Sequence, residues 1–146
     1  MKRVPAFVTL CIITLVAAIL LGLTNTVTEG PIAQAALVAA NEARIAVMPD
    51  ADGFDELPLA DGSQVDNVYK ATKGGQLVGY TSTVTTQGFG GPVEVTLGLD
   101  LTGKLTAISV GGTNFQETAG LGAQAKEPGF TDQFKGVALP AALGDN

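Results

Sequence analysis

The stretch GPVEVTLGLDLTGKLTAISVGG, residues 91–112, decides the fold. In the first half, apolar side chains at 93, 95, 97 and 99 alternate with polar or small ones, and in the second half Leu105 and Ala107 stand beside Ile108 and Val110. A period of two residues is typical of strands that bury one face, and the Thr102-Gly103 step between the halves is typical of a tight turn. The stretch therefore predicts two antiparallel strands, residues 91–101 and 104–112, that form a hairpin.

A second pair of strands is predicted just upstream, at residues 66–72 and 76–86. The segment between them, Lys73-Gly74-Gly75, is typical of a hairpin turn, because glycine adopts positive φ angles without steric cost. After the last strand, the sequence PGFTDQFKG at residues 128–136 predicts a short helix or turn. Phe130 and Phe134 in this segment lie one helical turn apart.

A helix is predicted before the strands, because residues 31–47 keep apolar side chains at helical spacing. Pro31 suits the first turn of this helix, and Pro49 follows its end. Together with the strands, this helix places the chain in the α+β class, with an antiparallel sheet and short helices after it.

The first 24 residues, MKRVPAFVTLCIITLVAAILLGLT, predict a membrane anchor. An uncharged helix over residues 5–24 is long enough for a hydrocarbon core of roughly 30 Å. Residues 1–4 would form a cytoplasmic tip, because Lys2 and Arg3 precede the apolar stretch. Residues 25–49 would be a stalk helix, and residues 50–146 a domain on the periplasmic or extracellular side of the inner (plasma) membrane.

A cleaved signal peptide is the alternative to this single-pass anchor. The apolar stretch, however, is longer than the roughly 7–15 residues of a signal peptide's apolar region. The nearby Ala33-Gln34-Ala35, which resembles a cleavage site, lies well past it. The sequence therefore favours a retained anchor.

Composition excludes several kinds of function. The chain has no histidine and one cysteine, Cys11, which leaves no plausible zinc, copper or haem site and no histidine-dependent catalytic triad. The net charge of −6 repels phosphate backbones, so we expect no binding of nucleic acid.

Four motifs carry a resemblance to a known family: GFGGP at residues 88–92, the hairpin at 98–110, ETAGLG at 117–122, and FTDQFKG at 130–136. In this order and spacing they resemble the FMN-binding domain of the G subunit of the Rnf complex. They resemble less closely the C subunit of the sodium-pumping NADH:quinone reductase. The short path from residue 49 to residue 66 favours the G subunit.

The resemblance implies FMN as cofactor and five residues that bind it: Glu117, Thr118, Gly120, Leu121 and Gly122. The backbone N–H groups of residues 120–122 would form an anion-binding nest, and Leu121 would pack on the flavin ring. The Thr118 hydroxyl would donate to the phosphate or the ribityl chain. Glu117 would accept hydrogen bonds from backbone N–H groups or ribityl hydroxyls and fix the loop.

The resemblance also implies a role. The chain would be an electron-carrier subunit, and no complete enzyme, of a membrane complex that couples ferredoxin and NAD electron transfer to ion translocation. Its partners would be the membrane, the other subunits and a flavin transferase. Relatives carry FMN as a phosphoester on a threonine in a Ser-Gly-Ala-Thr type motif, which this sequence lacks. We therefore expect these residues to be part of a longer protein, with the acceptor threonine beyond Asn146.

Simpler alternatives remain open at this point. Taken alone, ETAGLG is typical of a tight loop after a strand, and GFGGP of a turn between strands with Phe89 in the core. The chain would then be an anchored structural or binding module without a redox cofactor. Its first residues also resemble a type IV pilin, although Cys11 stands where pilins carry glutamate.

Overall fold

The computed structural model describes residues 5–139 and confirms the α+β class. A long helix is followed by a five-stranded antiparallel sheet whose strands lie side by side in chain order. The helix and strands are α1 (Ala6–Val47), β1 (Gly53–Glu56), β2 (Asn67–Lys73), β3 (Gln76–Gln87), β4 (Pro92–Asp100) and β5 (Leu105–Gly111). Two 3₁₀ turns, Gly122–Lys126 and Asp132–Phe134, flank a one-turn helix α2 (Pro128–Thr131). The predicted cytoplasmic tip with Lys2 and Arg3, and the chain end at Asn146, lie outside the described residues.

The two predicted helices form one continuous helix, α1, and Pro31 lies inside it instead of in a first turn. Proline removes one backbone hydrogen bond, and the alanine-rich sequence after it, residues 32–40, continues the helix. Within residues 5–139, α1 is the one helix long and apolar enough to cross a membrane. The chain divides into two compact units, Met1–Leu37 and Val38–Asn146. The boundary between the anchor and the stalk helix, at residues 24 and 25, stays a prediction.

Both predicted hairpins are confirmed. Gly74 and Gly75 form the two-residue turn between β2 and β3, with φ angles of 57° and 80°. β4 ends at Asp100, and Leu101, which the alternation places in the strand, lies in the following turn with 59% of its surface exposed. The reason is chemical, because the Asp100 carboxylate accepts hydrogen bonds from the backbone N–H groups of Thr102 and Lys104 and so closes the turn.

β1 is a strand that periodicity does not predict. It has four residues, which is too short for a visible alternation, and it pairs with β2 from Gly53↔Thr72 to Glu56↔Tyr69. β1 is a strand because it pairs with β2, and the local sequence of β1 does not indicate this pairing.

The last turn of α1 packs on one face of the sheet. Val47 and Met48 are buried there, and the Thr106 hydroxyl donates a hydrogen bond to the Val47 carbonyl at the helix end. Gly98 permits this approach, because a Cβ at that position would overlap the same carbonyl. The Arg44 guanidinium lies 3.9 Å above the ring centre of Tyr69. The end of α1 is therefore part of the same unit as the sheet.

Candidate functional site

The GFGGP motif forms the turn between β3 and β4, as one of the two interpretations expects. The Gly88 N–H donates a hydrogen bond of 2.9 Å to the Gly91 carbonyl and closes the turn. Phe89 projects from it with 94% of its surface exposed. The expectation that Phe89 lies in the core is therefore wrong, because its backbone lies in the turn of a hairpin and its side chain is exposed to solvent.

Glu117 connects this hairpin to the ETAGLG loop. Its Oε1 accepts a hydrogen bond of 3.1 Å from the Gly90 N–H, which is the loop-fixing role expected from sequence. Gly88 and Gly122 both lie against the Glu117 carboxylate, which leaves neither position room for a Cβ. Two glycine-rich motifs that are far apart in sequence thus meet around one carboxylate.

The rest of the ETAGLG loop is a tight turn. The Thr118 carbonyl accepts hydrogen bonds of 3.1 Å from the N–H groups of Leu121 and Ala123, and Gly120 adopts a φ of 78°. Because the Leu121 N–H is used inside the loop, residues 120–122 do not form the predicted nest of three consecutive N–H groups. The Leu121 side chain is 73% exposed, and Thr118 and Gly120 are also exposed.

An open groove of about 550 Å³ lies beside this loop. Its volume is within the range of roughly 300–1,000 Å³ that is usual for cofactor sites. Phe130 on its wall packs edge-to-face on Phe134 at a centroid distance of 5.3 Å. The lining residues are Leu121, Gly122, Gln124, Ala125, Glu127, Gly129, Phe130 and Gln133.

The five residues proposed from sequence thus lie in one loop, and two of them, Leu121 and Gly122, line the groove. Sequence reasoning missed Phe89 and Phe130 as members of this region. The signal for Phe89 is present, since an aromatic residue among turn-forming glycines has no neighbouring apolar residues to pack on. No comparable signal marks Phe130, because its i, i+4 spacing to Phe134 also fits a core contact.

These features define an α+β domain that follows a long apolar helix and carries a candidate site where two glycine-rich loops meet. No known protein-family model matches the chain. It is 36% identical over 147 residues to the G subunit of the Na⁺-translocating ferredoxin:NAD⁺ oxidoreductase complex of Acetobacterium woodii, a match that spans 92% of this chain and 70% of the relative. It is 29% identical over 126 residues to the G subunit of the proton-translocating ferredoxin:NAD⁺ oxidoreductase complex of Clostridium ljungdahlii, which covers 86% of this chain and 64% of that relative.

The chain belongs to the family of G subunits of ion-translocating ferredoxin:NAD⁺ oxidoreductase (Rnf) complexes. This assignment agrees with the resemblance found in the four sequence motifs. It replaces the pilin-like interpretation of the first residues.

Proposed function

We propose that the chain is a membrane-anchored flavoprotein that carries electrons within an Rnf-type complex, with FMN held at the two-loop site. The observation that carries the proposal is the Glu117–Gly90 hydrogen bond, which joins GFGGP to ETAGLG beside a groove of cofactor size. A turn needed only to connect strands does not require a carboxylate from a distant loop.

The side chains at the site fit a flavin ring better than a phosphate group. Leu121 and Phe130 expose apolar surface in the groove, and Phe89 is exposed on the hairpin turn that Glu117 joins to the ETAGLG loop. Of the described residues that line the groove, Glu127 is charged and none is lysine or arginine. A free phosphate ester would meet a carboxylate without a compensating cation, and its binding would be weak in a domain of net negative charge.

Covalent attachment removes this difficulty, and we propose a phosphoester to a threonine, formed by a flavin transferase. Two threonines of β3, Thr81 and Thr83, are poorly suited as acceptors. Thr81 is 1% exposed, and the Thr83 hydroxyl is bonded to that of Thr96 at 3.0 Å.

The flavin would supply the one- or two-electron chemistry, and the protein would bind and orient it. Leu121 would offer an apolar surface to the ring, and the Thr118 hydroxyl would donate a hydrogen bond to a polar group of the cofactor. Glu117, with its carboxylate engaged by Gly90, would hold the loop in shape. No residue of this chain is required to act as a general acid or base.

The test compares Leu121→Asp with Leu101→Asp in the intact complex, produced with its flavin transferase. Both leucines are exposed, but only Leu121 lines the groove, so the aspartate at 101 is a control for added charge. We expect in-gel flavin fluorescence of the denatured subunit to fall several-fold for Leu121→Asp and to stay unchanged for Leu101→Asp. Equal, normal fluorescence in both variants at equal protein amounts would refute the assignment of the site.

A further inference from the structure

We propose that the carboxylate of Glu127 lowers the reduction potential of the flavin in the groove. The bound cofactor therefore gives up electrons more readily than it does beside a neutral side chain. The inference rests on the proposed function, because it concerns the same groove and the same cofactor. It gives one side chain of the groove a role that binding alone does not require.

The backbone of Glu127 is held at the junction between the 3₁₀ turn Gly122–Lys126 and α2. Its N–H donates a hydrogen bond of 3.0 Å to the Gln124 carbonyl, and its carbonyl accepts bonds of 2.9 and 3.1 Å from the N–H groups of Phe130 and Thr131. The side chain makes no capping hydrogen bond to α2, and the residue is exposed and lines the groove. A substitution that keeps the backbone therefore changes the charge of the groove and leaves its wall in place.

The charge of the groove is negative. Among residues 5–139, the carboxylate of Glu127 has no lysine or arginine within ion-pair distance. A second carboxylate, that of Glu117, lies against Gly122, which also lines the groove. A cofactor in the groove thus meets negative charge that no cation of the described lining neutralises.

The cations closest in sequence are directed at other groups. Lys126 comes directly before Glu127, but its amino group lies 4.1 Å from the ring centre of Phe115, and the residue does not line the groove. Lys135 is paired with Asp132 at 2.7 Å, and neither of them lines the groove. The charge of Glu127 is therefore not cancelled at the groove by these residues.

A fixed negative charge beside the flavin opposes reduction, because each electron taken up adds negative charge to the ring. The electron comes from another redox centre, and Glu127 itself exchanges neither an electron nor a proton. Because Glu127 is exposed, solvent weakens its interaction with the ring. We expect its charge to change the one-electron equilibrium constant about threefold, which is about 28 mV at about 59 mV per tenfold.

The test is a potentiometric titration of the full-length subunit, loaded by its flavin transferase and extracted from the membrane, with the flavin absorbance as the signal. It compares the wild type with Glu127→Gln and Glu127→Asp at about 0.15 M salt. Glutamine keeps nearly the shape of glutamate and removes the charge, so Glu127→Gln should raise the potential by the expected threefold. Aspartate keeps the charge, so Glu127→Asp should stay close to the wild type.

Glu56→Gln is the matched control, because it is the same chemical change at an exposed residue of β1. The turn at residues 122–126 contacts β5, and β1 lies at the opposite edge of the sheet. Four strand spacings of about 4.8 Å separate the two edges by roughly 19 Å, which is well beyond the Debye length of about 8 Å at 0.15 M salt. We expect no change of potential in this variant.

Salt separates an effect of charge from an effect of shape. At about 1 M salt the Debye length falls to about 3 Å, so the difference between wild type and Glu127→Gln should shrink toward zero. A difference that persists unchanged at this salt concentration would overturn the electrostatic role. So would equal potentials at 0.15 M, or an equal shift in Glu56→Gln.

The flavin content of the same samples, measured by in-gel fluorescence, separates this inference from the proposed function. Normal loading with an unshifted potential in Glu127→Gln would contradict only the role of Glu127. Loss of flavin from Glu127→Gln, with normal loading of Glu127→Asp, would make Glu127 a binding residue and overturn its tuning role. A wild-type subunit without flavin would overturn both proposals.

Discussion

Phe89 and Glu117 show how single side chains set up the candidate site. Glu117 holds the Gly90 backbone, so the hairpin tip that carries Phe89 has a defined position relative to the ETAGLG loop. Phe89 itself is 94% exposed and contributes almost nothing to packing. A large aromatic surface kept in water on an ordered turn is more consistent with binding than with folding.

Phe89→Ala should therefore separate stability from flavin binding. We expect the thermal unfolding midpoint of the detergent-solubilised chain to stay unchanged, because an exposed side chain stabilises little by burial. Flavin loading in the complex, measured by in-gel fluorescence, should fall. Leu101→Ala, in the turn after β4 and 59% exposed, is the control and should leave flavin loading unchanged. A large loss of stability in Phe89→Ala would show that the ring packs after all.

Asp100 predicts a pH dependence of stability. Hydrogen bonds from the Lys104 backbone N–H and the Thr102 hydroxyl lower the pKa of its carboxyl group below the ordinary value of 3.8. Because the folded pKa is depressed, the stabilisation is complete above pH 3.8 and is lost as the pH falls through the lower folded pKa.

Asp100→Asn should lower the unfolding midpoint at neutral pH, and its difference from the wild type should shrink below pH 3.8. Thermal melts between neutral and strongly acidic pH measure this directly. The exposed Asp61→Asn variant serves as control. A constant difference between wild type and Asp100→Asn at every pH would contradict the charge-based explanation.

At the scale of elements, the close approach of α1 to the sheet depends on two glycines, which have no side chain at the contact. Gly98 and Gly79 lie where a Cβ would overlap the Val47 carbonyl and the Met48 side chain, respectively. The helix end is therefore seated directly on the backbone of β3 and β4. A larger residue at either position must displace the helix or the strand.

Gly98→Ala should destabilise the chain by about 1–3 kcal/mol, the usual cost of overpacking. Gly129→Ala is the matched control, because a Cβ at that helical position meets nothing within 4 Å. Urea unfolding of the solubilised protein measures both. Equal midpoints for the two variants would show that α1 does not need this close contact.

The chain has a net charge of −6, and its described residues include a helix, α1, that is long and apolar enough to cross a membrane. We predict that α1 anchors the chain in the plasma membrane with Lys2 and Arg3 in the cytoplasm, because cationic flanks stay on that side. A reporter that is active only outside the cytoplasm, fused after Asn146, should be active. Fusion of the same reporter before Met1 should be inactive, and the reverse pattern would exclude this orientation.

Much of the fold follows from local pattern. The two hairpins at Gly74-Gly75 and Thr102-Gly103, and the helix end before Pro49, were predictable because turn chemistry and periodicity act within a few residues. β1 was not, since a four-residue strand shows no period. The continuity of α1 through Pro31 was also missed, because proline favours a first turn but does not forbid a helix interior.

By itself, the sequence determined the α+β class, the apolar N-terminal helix, the order of the hairpins and the loop that carries Glu117 to Gly122. Each of these depends on neighbouring residues, whose spacing and backbone preferences are readable along the chain. Only the tertiary structure decided that Glu117 reaches Gly90, that Phe89 is exposed, and that the end of α1 lies against Gly98 of β4. These depend on segments that are distant in sequence, and contacts between such segments are set by packing, which no local pattern records.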